Sequence, residues 1–193
     1  MNKLRERIRA DGRVIGNDVL KIDSFLNHQL DPALIQAIGQ EFAACFRDAG
    51  VTRILTIEAS GIAVALMAGL YLNVPVVFAK KSRARTQAEP VYSASLTSFT
   101  KCETVGIAVS QRYLEPADRI LIIDDFLATG EATAALMSLV EQAGAALAGI
   151  GIVVEKGFQS GGKRIRAQGI PLESLVIIES LGTDGIRFAE AGR

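Results

Sequence analysis

Residues 120–133, ILIIDDFLATGEAT, place two adjacent aspartates directly after a run of four apolar residues. The run, with Arg119, predicts a buried strand over 119–124, and the small and helix-forming residues after it predict a helix that ends at Gly144. Adjacent carboxylates repel each other and resist burial. We therefore expect Asp124 and Asp125 to serve a ligand at the end of the strand.

Strand and helix patterns alternate along the rest of the chain. Parallel strands are the usual result when a helix connects two strands of one sheet. The sequence therefore predicts an α/β fold with a mostly parallel central sheet flanked by helices. The predicted helices cover 2–10, 31–50 and 62–72, and the other predicted strands cover 53–57, 74–79, 104–110, 146–158, 172–180 and 186–188.

Composition narrows the class of protein. The 193 residues are 49% apolar with a mean hydropathy of +0.28, which suits one domain with a real core. The 21 basic and 21 acidic residues balance, whereas a general nucleic-acid binder usually has a basic excess. The two cysteines lack the spacing of metal ligands, and no metal site is expected. The sequence shows neither a signal-peptide pattern nor an apolar run long enough to span a membrane. We therefore expect a cytoplasmic protein that binds neither nucleic acid nor membrane.

Two predicted strands lead directly into helices, at segments 58–61 and 124–130. A helix N-terminus has free N–H donors and a positive dipole end, which suits a phosphate. Carboxylates accept hydrogen bonds from sugar hydroxyls. Two phosphate sites with acids between them suit a sugar that carries phosphate at both ends. Neither the GxxxxGK[ST] nor the GxGxxG motif is present.

The segment KKSRARTQAEPVYSASLTSFT, residues 80–100, is polar and shows no helical face. A segment of this length without regular structure is usually either disordered or a functional lid. Its basic residues, such as Lys80 and Lys81, fit either an anion contact or a solvated run of charge.

The motif ILIIDDFLATGEAT resembles the signature of the type I phosphoribosyltransferases, which bind 5-phosphoribosyl 1-diphosphate (PRPP). The segments VLKIDSFLNHQLDP, RILTIEASGIA, VPVVFAKK and AGIGIVVEKGFQ extend the likeness over nearly the whole chain, towards the members of the family that act on xanthine. The resemblance implies one domain over 1–193, with residues 1–35 as a hood over the base site and residues 80–100 as a mobile active-site loop that contacts pyrophosphate. It also implies purine salvage, Mg²⁺ carried by PRPP, no organic cofactor and a homodimer.

The resemblance also implies a role for each site residue. Asp124 and Asp125 would face the ribose hydroxyls as the catalytic pair, and the loop 58–61 would hold pyrophosphate through Ser60 and Gly61. The base would contact Leu20, Asn27 and Lys156. The ribose 5-phosphate would lie on the backbone of Ala128, Thr129, Gly130, Glu131 and Ala132. Many relatives have a second glycine where this chain has Glu131, a departure that keeps the backbone donors and bears on local anion affinity.

Several alternatives stay open at this stage. Lys156 is either a donor to a purine carbonyl or a surface lysine paired with Glu155, and Asn27 either binds the base or orders its own loop. Leu20 also fits the core, and the single histidine, His28, fits a structural role better than acid–base chemistry. The substrate could also be guanine or hypoxanthine. A PRPP-sensing regulator is the alternative from another class of protein, although the sequence offers neither a DNA-binding extension before the hood nor a basic excess.

Overall fold

The computed structural model describes residues 1–82, 89–98, 103–182 and 185–189. The helices are α1 Asn2–Asp11, α2 Pro32–Cys45, α3 Gly61–Leu72, α4 Glu131–Gln142 and α5 Gly161–Ala167. The first five strands are β1 Arg13–Ile15, β2 Val19–Lys21, β3 Arg53–Ile57, β4 Val76–Ser82 and β5 Val91–Ser98. The other strands are β6 Glu103–Ser110, β7 Arg119–Leu127, β8 Ala146–Lys156, β9 Leu172–Gly182 and β10 Gly185–Phe188.

Eight of the strands form one mixed sheet in the order β10-β9-β8-β7-β3-β4-β6-β5. The central strands β9, β8, β7, β3 and β4 run parallel, while β10, β6 and β5 pair antiparallel at the two sides. The prediction of an α/β fold with a mostly parallel sheet is confirmed. β1 and β2 form a separate antiparallel hairpin.

The apolar run of β7 lies at the centre of the sheet and faces two cores. Leu121 and Ile123 belong to a cluster with buried side chains of α1, α2 and α3, whereas Ile120 and Ile122 belong to a second cluster with α4 and α5. Successive side chains of a strand point to opposite faces. Every residue of the run is therefore buried, which is why it shows no alternation of apolar and polar residues.

The start of α2 agrees with its sequence signal. The Asp31 carboxylate accepts a hydrogen bond from the backbone N–H of Leu34 at 3.1 Å, and Pro32 occupies the first helical position. The regular helix ends at Cys45, and the chain reaches Gly50 through a turn with a φ of 64° at that glycine. The predicted end of this helix at residue 50 was five residues too late.

The expectation that residues 80–100 lack regular structure is wrong for much of the segment. β4 extends to Ser82, and residues 91–98 form β5, which pairs with β6 along its whole length. Tyr92, Ala94 and Leu96 alternate with serines and pack against the second core cluster. This alternation was the available sequence signal. Residues 83–88 and 99–100 lie outside the described residues, so mobility of this segment stays a prediction.

No helix in the described part of the chain is both long enough and apolar enough to cross a membrane.

Candidate active site

Asp124 and Asp125 lie within β7, which continues to Leu127, and so precede the loop after that strand. β3 and β7 are parallel neighbours, with Ile54 opposite Leu121, so the segment after β3 emerges at the same edge of the sheet. The start of α3 and the Asp124 carboxylate lie close together: a Cβ built on Gly61 would be 3.3 Å from Asp124 Oδ1. The structure therefore brings the carboxylate pair next to the N-terminus of α3.

Burial gives Asp124 unusual proton chemistry. Its side chain is 4% exposed, and its Oδ1 accepts a hydrogen bond from the backbone N–H of Asp125 at 3.0 Å. Burial, followed by repulsion from the Asp125 carboxylate, raises the pKa of Asp124 well above its ordinary value. The two carboxylates are thus neighbours, and only that of Asp124 is deeply buried.

Asn27 connects the N-terminal segment to this pair. It ends a short helical turn, Asp23–Asn27, and its Nδ2 donates a hydrogen bond to Asp125 Oδ2 at 2.9 Å. Asn27 Oδ1 is buried and accepts no hydrogen bond from the described residues. A buried acceptor without a partner is costly, so Asn27 has one free hydrogen-bonding position beside the acids.

Lys156 ends β8, the strand next to β7, and also contacts the N-terminal segment. Its Nζ donates to the carbonyl oxygen of Asp18 at 2.6 Å and lies 5.8 Å from the centre of the Phe126 ring. Burial lowers the pKa of Lys156, while the Asp18 charge partly opposes this. The alternative that Lys156 pairs with Glu155 is wrong, because Glu155 is bound by Arg166.

The side chain of Leu20, which lies in β2, is 5% exposed and belongs to the first core cluster. Lys156 contacts the turn of this hairpin at Asp18, and Asn27, which follows the hairpin, contacts Asp125. The structure thus brings Asn27 and Lys156 to the carboxyl edge of the sheet, whereas Leu20 lies in the core.

Residues 128–130 join β7 to α4, and Glu131 and Ala132 are the first two residues of that helix. Gly130 has a φ of 91°, a left-handed conformation that favours glycine, and is the residue before the first turn of α4. Among the residues that the structure describes, no side chain caps this helix or α3, which begins at Gly61 after Ser60. The first N–H groups of both helices are therefore left without a capping side chain, as an anion site requires.

Known proteins share features with this chain. A family model described as "Phosphoribosyl transferase domain" matches residues 27–172. The chain belongs to the phosphoribosyltransferase family.

Relatives of this phosphoribosyltransferase and solved structures that resemble it agree with the family. Proteins named xanthine phosphoribosyltransferase from Bacillus cereus and Bacillus anthracis are each 54% identical over 98% of this chain and 96% of their own length. Adenine phosphoribosyltransferase from Rhodothermus marinus superposes with a TM-score of 0.74 at 24% identity, over 92% of this chain and 99% of that one. The Trypanosoma brucei enzyme, solved with AMP, pyrophosphate and ribose-5-phosphate, also gives 0.74 at 21% identity, over 90% of this chain and 79% of that one. These structures support the fold.

Sequence reasoning on this phosphoribosyltransferase missed α5 and its contacts. Arg166 of α5 makes two hydrogen bonds of 2.8 and 2.7 Å to the buried Glu155 carboxylate, and Ser174 Oγ donates a third. Burial alone raises the pKa of Glu155, but these donors outweigh it and lower that pKa. The adjacent glycines Gly161 and Gly162 were the available sequence signal, because glycine allows close approach of the backbone. In the structure, a Cβ at Gly162 would clash with Glu155 Oε1.

We predict that Asp124→Asn stabilises this phosphoribosyltransferase at neutral pH by about 1 kcal/mol, the size typical of relieving a strained site. The folded protein keeps the Asp124 proton at pH values where the unfolded chain has lost it. Between the two pKa values the free energy of unfolding therefore falls as pH rises. Asparagine carries no ionisable proton, so the variant lacks the loss of stability that burying the Asp124 charge causes.

Urea unfolding of wild type and variant across a pH series measures this difference. It should be largest near neutral pH and disappear by about pH 3, below the carboxyl pKa in both states. Asp48→Asn, at an exposed carboxylate, is the matched control. A stability difference that grows on acidification would contradict the prediction.

Proposed function

We propose that this protein transfers the 5-phosphoribosyl group from PRPP to N9 of xanthine, giving xanthosine 5′-monophosphate and pyrophosphate in purine salvage. The observation that carries the proposal is the pair Asp124 and Asp125 between two uncapped helix N-termini. The 54% identity to proteins named xanthine phosphoribosyltransferase supports the choice of base.

PRPP fits the two helix ends and the acids between them. The backbone of residues 128–132 binds the 5-phosphate, and Ser60 and Gly61 bind the pyrophosphate group. Asp124 and Asp125 hold the ribose hydroxyls. Their carboxylate oxygens accept hydrogen bonds from these hydroxyls.

The base lies beneath the N-terminal hood, residues 1–35, against Leu20, Asn27 and Lys156. The free Oδ1 of Asn27 accepts from a ring N–H, and the Lys156 ammonium donates to a purine carbonyl. Xanthine offers both groups. Adenine is a poor match for Lys156, because its exocyclic amino group is itself a donor.

In the reaction, N9 of xanthine attacks C1′ of PRPP, the bond from C1′ to the pyrophosphate oxygen breaks with inversion, and pyrophosphate leaves. The N9 proton passes to solvent. Positive charge develops on the ribose as that bond breaks, so a neighbouring carboxylate stabilises the transition state. Positioning of the two substrates between the hood and the sheet supplies a further part of the rate.

Mg²⁺ enters with PRPP as part of the substrate. The part of the chain that the structure describes contains no group of three acidic, histidine or cysteine side chains arranged to hold a metal. Asp124 and Asp125 offer carboxylate oxygens, the ligand type that Mg²⁺ prefers. They fit a metal whose other ligands come from the substrate.

The whole chain, 1–193, forms one catalytic domain in this proposal. We place the enzyme in the cytoplasm, where its substrates are metabolites.

We predict that xanthine gives the highest kcat/KM in a panel of four bases. The protein is incubated with PRPP, Mg²⁺ and either xanthine, guanine, hypoxanthine or adenine, and the nucleotide is quantified by chromatography. Reactions without PRPP are the control. A preference for guanine or hypoxanthine would overturn the choice of base, and PRPP binding without any nucleotide formation would favour a sensing protein.

We predict that Asp125→Asn lowers kcat by about 100-fold, the effect typical of losing one group that stabilises the transition state. The KM for xanthine should change much less, because Asp125 faces the ribose. Steady-state kinetics with varied xanthine at saturating PRPP separates the two constants. Asp48→Asn serves as the matched control, and an unchanged kcat in Asp125→Asn would remove Asp125 from the catalytic role.

A homodimer is the assembly we propose. Leu66 and Leu70 lie four residues apart on α3 and are 55% and 67% exposed. Residues at this spacing share one helix face. An exposed pair of large apolar side chains on one face suits contact with a second copy of the chain.

We predict that Leu66→Glu combined with Leu70→Glu shifts the protein from dimer to monomer, because four buried carboxylates across a symmetric interface would be strongly unfavourable. Size-exclusion chromatography with light scattering measures the mass. Leu30→Glu, at an exposed apolar residue before α2, is the control and should stay dimeric. A monomeric wild type would overturn the proposed assembly.

A further inference from the structure

Glu131 introduces an electrostatic conflict into the loop proposed to hold the 5-phosphate. It is the first residue of α4, directly after Gly130. The positive end of the helix attracts any nearby anion, including the helix's own first-turn carboxylate. A phosphate bound on the same backbone would meet a like charge from Glu131.

Arg164 of α5 lies where it can relieve this conflict. Its Nη1 is 3.4 Å from Glu131 Oε1 and donates a hydrogen bond to the carbonyl oxygen of Thr129 at 3.2 Å. One guanidinium group thus contacts both the carboxylate and the backbone of the loop. This pair joins residues 33 positions apart in sequence.

The start of α5 fixes the position of Arg164 against the loop. The N–H of Gly161 donates to the carbonyl oxygen of Ala128 at 3.0 Å. A Cβ on Gly161 would lie 2.5 Å from that oxygen, so only glycine permits this approach. α5 therefore packs directly on the loop.

These contacts also determine which side of the loop is free. The carbonyls of Ala128 and Thr129 both point towards α5. In a trans peptide the N–H points opposite to the preceding C=O. The N–H groups of Thr129 and Gly130 therefore point away from α5, and the side that faces Arg164 is not the side that would bind phosphate.

We propose that Arg164 is a positioning residue for PRPP binding, which pairs with Glu131 and draws its carboxylate to the carbonyl side of the loop. With the charge neutralised there, the N–H side accepts the 5-phosphate dianion. This inference rests on the proposed function, because it assumes that residues 128–132 bind that phosphate.

The central measurement is the affinity for ribose 5-phosphate by titration calorimetry, together with the KM for PRPP. Arg164→Ala should weaken both by about three- to fivefold, the range of a partly exposed ion pair. Glu131→Gln should bind as tightly as the wild type or up to about threefold more tightly. The double variant Arg164→Ala with Glu131→Gln should return to within about twofold of the wild type.

The effect of Glu131→Gln with and without Arg164 distinguishes charge neutralisation from simple support of the loop. If Arg164 acted only through its hydrogen bond to Thr129, Glu131→Gln would change the affinity by the same factor with and without Arg164, whereas charge neutralisation predicts a larger gain from Glu131→Gln in the Arg164→Ala background. Lys163→Ala is the matched control, because Lys163 is an exposed cation on the same helix and makes no hydrogen bond or ion pair to any described residue. Thermal unfolding of each variant shows whether the fold is retained.

Each outcome separates this inference from the proposed function. A wild type that binds neither ribose 5-phosphate nor PRPP overturns the proposed function itself. A wild type that binds both, with Arg164→Ala equally tight or with Glu131→Gln giving the same factor with and without Arg164, overturns the role of Arg164 alone. Weakening in Arg164→Ala, with a larger gain from Glu131→Gln in that background than in the wild type, supports it.

Discussion

The parallel pairing of β3, β7 and β8 is the constraint on which the site depends. Parallel neighbours bring their carboxyl ends to one edge of the sheet, where ligands of open α/β proteins bind. That edge holds the residues after β3, the acids of β7 and Lys156 of β8. The turn of the hairpin β1–β2 contacts the same edge through Asp18 and Lys156, and Asn27, after the hairpin, contacts it through Asp125.

Three buried acids show how the fold separates structural from functional charge. Burial alone raises the pKa of Asp118, but backbone and Thr52 hydrogen bonds and the Arg53 guanidinium outweigh it and lower that pKa. Glu155 is likewise bound by Arg166 and Ser174. Asp124 has no such cation in hydrogen-bond contact within the described residues, and its pKa is raised. A buried acid that lacks internal compensation is typical of a functional site.

Local patterns in the sequence predicted the centre of the fold and the acids. The run before Asp124, the Asp31-Pro32 helix start and the glycine after Thr129 each act within a few residues, so spacing alone indicates them. The strand at 91–98 was missed, although its apolar residues alternate with serines. Its burial depends on Tyr92, Ala94 and Leu96 meeting α4 and the sheet, contacts that no local window contains.

The charge environment of the site was harder to predict, because its partners are distant in sequence. Asn27 and Asp125 are 98 residues apart, and Lys156 and Asp18 are 138 apart. A motif comparison identifies the loop 128–132 but not the residue that faces its carbonyl side. The properties of that loop follow from α5, which packs against it through Gly161 and brings Arg164 to Glu131. A motif thus fixes the backbone donors, while tertiary contacts fix the net charge that an incoming phosphate meets.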